Sequence, residues 1–416
     1  MKRRLLSTLS GLALLLSAQA AGAQEPVKLA MCYDLSKAYT FISPQVVQAA
    51  KDYAAIMNLD GGIEGHPVEI IAQDHGNEPQ RGIECYERLK REGVMVFDFL
   101  STPVSRAVLP RIMSDGNILL QSFVGRGDAI DGEVFKWVFP IGPTYWGQMA
   151  NNVHFIKTRQ NGNLKGVKIA FIYPDYAFGQ EPIPVLKTLA QTEGFDLGLF
   201  PNPMPGKDQA AVWTQIRRFN PDWVITWNLS AMHVVAAREM KRNGIPMDKL
   251  ISVNWLNEVD INTIGPAEAK GVKRGTNVIG GKDHPLIQRI VKDLYDKGKG
   301  SGDPKHLDDI YYNTGLAMYS TIFEGLRNAY KKDPKAKLTP EAIKLGLENL
   351  RNFDANGLIA PVTVTAQDHG GGGKTRIDMW DGTKWVPQSD WFSAYDNVVM
   401  KVVKEQSAEF AKGGGK

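Results

Sequence analysis

The amino-acid sequence predicts an α/β protein built from two doubly wound lobes in tandem. Short apolar strands alternate with amphipathic helices, a pattern typical of parallel sheets whose two faces are covered by helices. This alternation runs to Phe139 and begins again after Gly166 with VKIAFIYPD. The stretch 285–350 is helical in pattern, and strand-like segments follow it. This order indicates that the chain recrosses between the lobes.

The first lobe is predicted to contain five strands and four helices. Strands are expected where apolar residues run together, and helices where apolar residues recur with a period of 3.6. The strands are predicted at 27–33, 67–73, 94–99, 117–121 and 135–139. The helices are predicted at 43–58, 79–92, 104–114 and 145–159.

The second series continues the alternation. After VKIAFIYPD, helices are predicted near 179–193, 208–218 and 230–243, and strands at 195–200, 224–227 and 250–254. The last predicted strands are VTVTA (362–366), RIDMW (376–380) and KWVP (384–387). The segment DHGGGGKT (368–375) resembles a phosphate-binding loop but has Asp368 where the motif needs glycine. Because a strand rather than a helix is predicted after it, we interpret it as a flexible hairpin.

The N-terminus has the three parts of a secretion signal. These parts are the charged Lys2, Arg3 and Arg4, the apolar stretch 5–16, and the small-residue cleavage site Ala21-Gly22-Ala23. We expect residues 1–23 to be removed and the protein to reach the periplasm. No later apolar stretch is long enough to span a bilayer. The formal net charge is +4 without a basic block, which argues against nucleic-acid binding.

The chain contains two cysteines, Cys32 and Cys85. Cys32 ends the first predicted strand, and Cys85 lies within the helix that follows the second strand. A right-handed crossover from an edge strand passes over the first strand, so the two side chains can meet. An exported protein can keep such a pair oxidised. The sequence leaves two alternatives open, a disulfide or two separate buried thiols.

Five segments in order resemble one known family. They are GGIEGHPVEIIAQDHGNEPQRGIE, FLSTPVSRAVLPRIMSDGNILLQS, KIAFIYPDYAFG, AREMKRNGI and AKGV. The chain resembles the type I periplasmic binding proteins of ABC importers, in the branched-chain amino-acid receptor group. The resemblance implies two Rossmann-like lobes, joined by a three-crossover hinge, that close on a small ligand. It implies a monomer without a cofactor that delivers its ligand to an inner-membrane ABC permease.

The resemblance also predicts how the chain divides. Lobe 1 is expected at 26–145 plus 283–358, and lobe 2 at 146–282 plus 359–395. The remaining residues, 396–416, are expected to form a C-terminal segment whose Gly/Lys end at 412–416 is a flexible tail.

Two loops of the first lobe are candidates for binding a ligand carboxylate. Ser101 and Thr102 start a helix, where hydroxyls cap the helix or hold an anion. The resemblance implies that Thr102 contacts the carboxylate. The second loop is Phe123, Val124, Gly125 and Arg126, and its backbone is implied to bind the same group. Gly125 stands where the family has a hydroxyl, so we expect Arg126 either to replace that contact or to be a solvated loop charge.

The remaining candidates are mostly aromatic. Tyr176 matches the family's cleft tyrosine, Trp227 ends a strand as a ligand wall or core residue, and Tyr39 and Phe41 lie in the first loop. Asn254 stands where amino-acid receptors have an acid that pairs with the ligand's ammonium, and Trp255 follows it. Glu258, one turn later, is the available compensating acid. These features favour an aromatic or branched carboxylic acid, although Trp255 also fits a cation.

No residue pattern indicates catalysis or a metal centre. The chain has no GxSxG segment, no HExxH segment and no paired Cys/His sets. His66 and His75 are expected in surface turns. We therefore predict a solute-binding protein and no enzyme. The alternatives are an amino-acid or amide receptor of the same family, a ligand-sensing partner of a regulator and, much less favoured, an envelope hydrolase.

Overall fold

The computed structural model describes residues 24–122, 125–331 and 333–413. The predicted signal sequence and two predicted ligand residues, Phe123 and Val124, lie outside the described residues. Within the described ranges, no helix is long and apolar enough to cross a membrane.

The first sheet has five parallel strands in the order β2-β1-β3-β4-β5. These strands are β1 (Val27–Tyr33), β2 (Val68–Asp74), β3 (Val96–Asp98), β4 (Ile118–Leu120) and β5 (Val138–Phe139). All but β2 are almost entirely buried, as expected for a parallel sheet covered on both faces. The helices between them are α1 (Ser43–Leu59), α2 (Pro79–Arg91) and α3 (Thr102–Asp115).

The second sheet has seven strands in the order β12-β11-β10-β9-β8-β6-β7. They are β6 (Lys168–Pro174), β7 (Asp196–Asn202), β8 (Trp223–Thr226), β9 (Leu250–Ser252), β10 (Lys273–Thr276), β11 (Arg376–Trp380) and β12 (Trp385–Pro387). Strands β6 to β10 run parallel, and β11 and β12 extend the sheet antiparallel. The helices up to β10 are α4 (Tyr145–Arg159), α5 (Ala177–Gln180), α6 (Ile183–Glu193), α7 (Ala210–Phe219), α8 (Ala231–Arg242) and α9 (Glu258–Ile264).

The remaining helices take the chain back and forth between the sheets. They are α10 (Pro285–Asp293), α11 (Ile310–Tyr330), α12 (Pro340–Glu348) and α13 (Asp396–Lys412). The chain crosses after β5, again after β10 to reach α11, which packs on α1, and a third time after α12 to reach β11. The predicted two-lobe α/β class with three crossovers is confirmed. The exact lobe boundaries given above remain a proposal.

One predicted strand is not formed in the structure, and one observed strand was not predicted. VTVTA at 362–366 forms no strand, and only Val362 makes an isolated bridge, to Phe353. Its backbone instead bonds to neighbouring turns, as when the Thr363 N–H donates to the Gly371 carbonyl at 3.0 Å. Conversely, β10 reads KRGT and has no apolar pattern. It becomes a strand because it pairs with β9 and β11, so tertiary pairing overrides its weak intrinsic preference.

The two histidines expected in surface turns are buried. His66 is 7% exposed, stacks on Tyr330 and reaches the carbonyls of Glu25 and Pro334 at 3.1 and 2.9 Å. His75 is 0% exposed, and its Nε2 lies 3.0 Å from the Phe99 carbonyl. The surface-turn prediction was wrong because each ring fastens one loop to a distant segment, which composition alone does not indicate.

The two cysteines are joined in a disulfide. Cys32 in β1 and Cys85 in α2 have Cα atoms 6.3 Å apart, and both side chains are buried. The helix α2 packs over β1. The bridge therefore fastens the first crossover helix to the centre of the first sheet.

Candidate functional site

Seven aromatic side chains form a closed circuit between the carboxyl ends of the two sheets. We call this group the aromatic cage. Its members come from loops after strands and from helix starts on both lobes, where open α/β sheets bind ligands. They are Tyr39, Phe41, Tyr145, Tyr176, Phe178, Trp255 and Tyr311. Four of them line a small cavity together with Ile42, Leu100 and Thr102.

One half of the cage joins the first loop to α11. The ring centroids of Tyr39 and Phe41 lie 6.3 Å apart, and Phe41 meets Tyr311 edge-on at 5.7 Å. Tyr311 lies 6.0 Å from Trp255, and its hydroxyl donates to the Trp255 carbonyl at 2.7 Å. This half presents ring faces and edges rather than charge.

The other half of the cage comes from the second lobe. Trp255 Nε1 donates to the Tyr145 hydroxyl at 2.9 Å, and Tyr145 meets Phe178 edge-on at 5.3 Å. Phe178 lies 6.0 Å from Tyr176, whose hydroxyl is 3.5 Å from that of Tyr39. This last contact closes the circuit across the cleft, so the structure describes the lobes in a closed arrangement.

The cage tyrosines are neutral donors. Burial raises the pKa of Tyr176 to about 12 and that of Tyr39 well above its ordinary value. Both hydroxyls therefore stay protonated at neutral pH and can donate to an acceptor. Trp227 lies outside the cavity lining; it is fully buried behind Tyr145, at 5.5 Å, and supports the cage from the core.

The N-terminus of α3 presents one hydroxyl to the cavity. The Ser101 hydroxyl already has partners within the protein, since its Oγ accepts from the Val104 N–H and donates to Asn77 Oδ1 at 2.7 Å. Thr102 lines the cavity, and its Oγ1 accepts from the Gly125 N–H at 3.2 Å. The Thr102 hydroxyl proton can still be donated to a ligand. Leu100 has a φ of 42°, unusual for a bulky residue, as the chain turns into this helix.

The structure does not bring Arg126 to the cage. Its guanidinium forms a two-pronged ion pair with Asp128, with distances of 2.8 to 3.1 Å. The same group lies against the stacked rings of Phe135 and Phe410, 4.9 and 4.3 Å from their centroids. The structure therefore does not place Arg126 where it would replace the missing hydroxyl, because Asp128 and Phe410 already engage its guanidinium.

Glu181 explains the missing side chain at position 125. Glu181 is 4% exposed, follows α5, and its Oε1 accepts from the Gly127 N–H across the cleft at 2.6 Å. Its other oxygen pairs with Arg106 of α3. A Cβ at Gly125 would lie 2.6 Å from the Glu181 carboxyl carbon, so any larger residue there requires the Glu181 side chain to move. Sequence reasoning missed Glu181 because both of its partners belong to the other lobe.

Asn254 and Glu258 occupy different environments. Asn254 is half-buried beside a second small cavity that Tyr311 and Thr314 also line. Among the described residues, its Oδ1 has no hydrogen-bond partner. Glu258 is paired with the buried guanidinium of Arg274 at 3.3 Å. Glu258, the acid that could replace the family's acidic residue opposite a ligand ammonium, is thus already paired. The Asn254 amide oxygen is available to accept a hydrogen bond.

The loop before α3 is anchored by a buried acid. Asp98, at the end of β3, accepts from the Tyr33 hydroxyl at 2.6 Å, the Tyr319 hydroxyl at 3.4 Å and the Leu100 N–H at 3.1 Å. Desolvation by burial raises its pKa from 3.8 to about 6, although these hydrogen bonds oppose the shift.

We expect Asp98 to make the fold less stable above pH 6. Because the folded-state pKa of Asp98 is raised, the folded protein binds the proton more tightly than the unfolded chain does. The free-energy cost of burying the ionised carboxylate therefore disappears as pH falls from 6 to 4. Urea unfolding of the native protein and of Asp98→Asn at several pH values tests this. The native protein should gain stability relative to the variant between pH 7 and pH 4. A pH-independent difference would contradict the assignment.

Comparisons with known proteins agree with the two-lobe fold. The profile of a family described as "Periplasmic binding protein" matches residues 26–384. A solved structure described as an ABC transporter permease from the Pseudomonas fluorescens group is 33% identical. It has a TM-score of 0.85, and the alignment covers 94% of this chain and 98% of that chain. Among curated proteins, none matches this chain.

Two more distant structures share the fold. One is a branched-chain amino acid ABC transporter protein from Thermus thermophilus with bound valine, at 18% identity, TM-score 0.78 and coverage of 92% and 99% of the two chains. The other is a fatty acid ABC transporter substrate-binding protein from Thermomonospora curvata, at 21% identity, TM-score 0.71 and coverage of 90% and 94%. The chain therefore belongs to the type I periplasmic binding protein family, the substrate-binding proteins of ABC transporters.

Proposed function

We propose that this protein captures a small carboxylic acid with an aromatic or branched body in the periplasm, by closure of its lobes. It passes that ligand to an inner-membrane ABC permease and acts as a monomer. The observation that carries the proposal is the aromatic cage. Among the described residues that line its cavity, none carries a charge, and Thr102 supplies the hydroxyl donor at the start of α3.

The charge balance supports an acid over an amino acid. An ammonium buried by closure is costly unless a negative group pairs with it. Asn254 offers only an amide, and Glu258 is already paired with Arg274. A carboxylate has better partners, because the N-terminus of the 14-residue α3 carries a partial positive charge and Thr102 can donate to it.

An amino-acid receptor is the second candidate. Rings such as those of Trp255 and Tyr145 can hold a cation through their faces, which would compensate for the missing acid. The ligand would then keep its ammonium group against the cage. A sensing role, with a separate regulator in place of the permease, uses the same capture step and differs only in the partner.

Matched ligands distinguish the acid from the amino acid. We expect 3-phenylpropanoate to bind at least tenfold more tightly than phenylalanine, and 4-methylpentanoate more tightly than leucine, in isothermal titration calorimetry. A thermal-shift screen comes first, because a ligand that binds only the folded state raises the unfolding temperature. Thr102→Val, which keeps the shape and removes the hydroxyl, should weaken acid binding by about 1–3 kcal/mol.

The opposite ranking would return the protein to the amino-acid group. If phenylalanine or leucine binds at least tenfold more tightly than its matched acid, the cage holds a cation.

The removal of residues 1–23 is checked separately, since N-terminal sequencing of exported protein should begin at or near Gln24.

A further inference from the structure

The C-terminal helix α13 lies beyond the part of the chain that the family profile matches, which ends at residue 384. The sequence predicted only a C-terminal segment with a flexible tail there. Instead, residues 396–412 form a helix of 17 residues, about 25 Å long at about 1.5 Å per residue. Val399, Val402, Val403 and Phe410 are buried, so the helix is packed along its whole length.

The first end of α13 is attached to the second lobe. The helix packs against α4 and α6, which cover the second sheet. Just before it, the Ala394 N–H donates to Asn151 Oδ1 of α4 at 2.9 Å. The ring of Tyr395 meets that of His154 edge-on at 5.9 Å, and the Lys157 ammonium lies over it at 5.9 Å.

The other end of α13 is attached to the first lobe, between β4 and β5. Ser407 Oγ donates to the buried Asp131 carboxylate at 2.6 Å, and Lys404 pairs with Asp131 at 2.8 Å. Phe410 stacks on Phe135 at 4.6 Å, with the Arg126 guanidinium against its ring. Arg126 adjoins Gly127, whose N–H bonds to Glu181 across the cleft.

We propose that α13 is a strap that ties the two lobes together and favours the closed arrangement, with Phe410 as the positioning residue for the loop at 125–127. A single rigid helix attached to both lobes cannot follow both of them when they separate. Opening must therefore break one set of contacts or shift the loop that Arg126 and Phe410 hold. A protein whose closed state is more populated binds its ligand more tightly without any new ligand contact. Only this last step rests on the proposed function.

Hydrogen exchange tests the strap without a ligand. Phe410→Ala should speed amide exchange at least about fivefold in peptides covering 125–130 and 177–181, which face each other across the cleft. The second peptide belongs to the other lobe and meets the first through the Glu181 carboxylate, so faster exchange confined to 125–130 would mark only local loosening around Phe410. Amides of β1 and β6 should exchange as in the native protein. The radius of gyration from small-angle X-ray scattering should increase. Lys401→Ala, an exposed position on the same helix, should change none of these.

Two results would contradict the role of α13 as a strap. Unchanged exchange at 177–181 together with an unchanged radius of gyration in folded Phe410→Ala would overturn the strap. If that variant does not fold, Lys404→Ala removes a half-exposed contact at the same end and should shift both readouts in the same direction by a smaller amount. No shift there would overturn the proposal as well. Because no ligand is used, this result is independent of whether the ligand is an acid.

Discussion

Replacing Cys32 and Cys85 together by alanine should lower the free energy of unfolding by about 2–5 kcal/mol. The bridge spans 53 residues, and cutting it frees that loop in the unfolded chain. Alanine avoids leaving a hydroxyl in the buried site of Cys32. Urea unfolding followed by circular dichroism measures the change.

Two controls define the result. Native protein unfolded with a reductant should match the double variant, because both lack the bridge. Ligand affinity of the folded variant should stay native, since neither cysteine lines the cage cavity. A loss below about 1 kcal/mol would mean that the bridge contributes little to the fold.

Trp255→Ala should weaken binding of 3-phenylpropanoate by about thirtyfold to a thousandfold, which corresponds to about 2–4 kcal/mol for a central aromatic contact. Trp255 lines the cavity, and its Nε1 fixes the Tyr145 hydroxyl at 2.9 Å. Calorimetry with 3-phenylpropanoate measures the affinity, and circular dichroism confirms the fold.

Trp255→Phe separates the two roles of the residue. Phenylalanine keeps an aromatic wall and loses the hydrogen bond to Tyr145, so an intermediate affinity is expected. Native affinity in Trp255→Ala would show that the ligand is held elsewhere.

The sequence predicted strands and helices well where a single pattern of apolar residues decided the local structure. The strands β1 and β6 are apolar runs, and α4 starts and ends where predicted, at 145 and 159. Prediction failed where pairing with distant strands decided the structure. The charged strand β10 forms because β9 and β11 flank it, whereas the β-prone residues 362–366 have no sheet edge to join.

The residues of the candidate site were likewise predicted only in part. Tyr176 and Trp255 were singled out because the resemblance places their loops in the cleft, and Tyr39 and Phe41 because they are aromatic residues of the first loop. Tyr145 and Tyr311 were missed because, in sequence, they are ordinary first residues of buried helices. Phe178 was passed over in favour of its neighbour Tyr176. The engagement of Arg126 with Phe410 could not be predicted, since these residues are far apart in the chain.

The close approach of Gly125 and Glu181 has an evolutionary consequence. A side chain at 125 is incompatible with the present position of the Glu181 carboxylate, since a Cβ at 125 would lie 2.6 Å from its carboxyl carbon. A threonine at 125 would require Glu181 either to move away from the Gly127 N–H or to be replaced by a shorter residue. The two positions should therefore covary in an alignment of relatives, and each pairing would mark a lineage with its own way of closing the cleft.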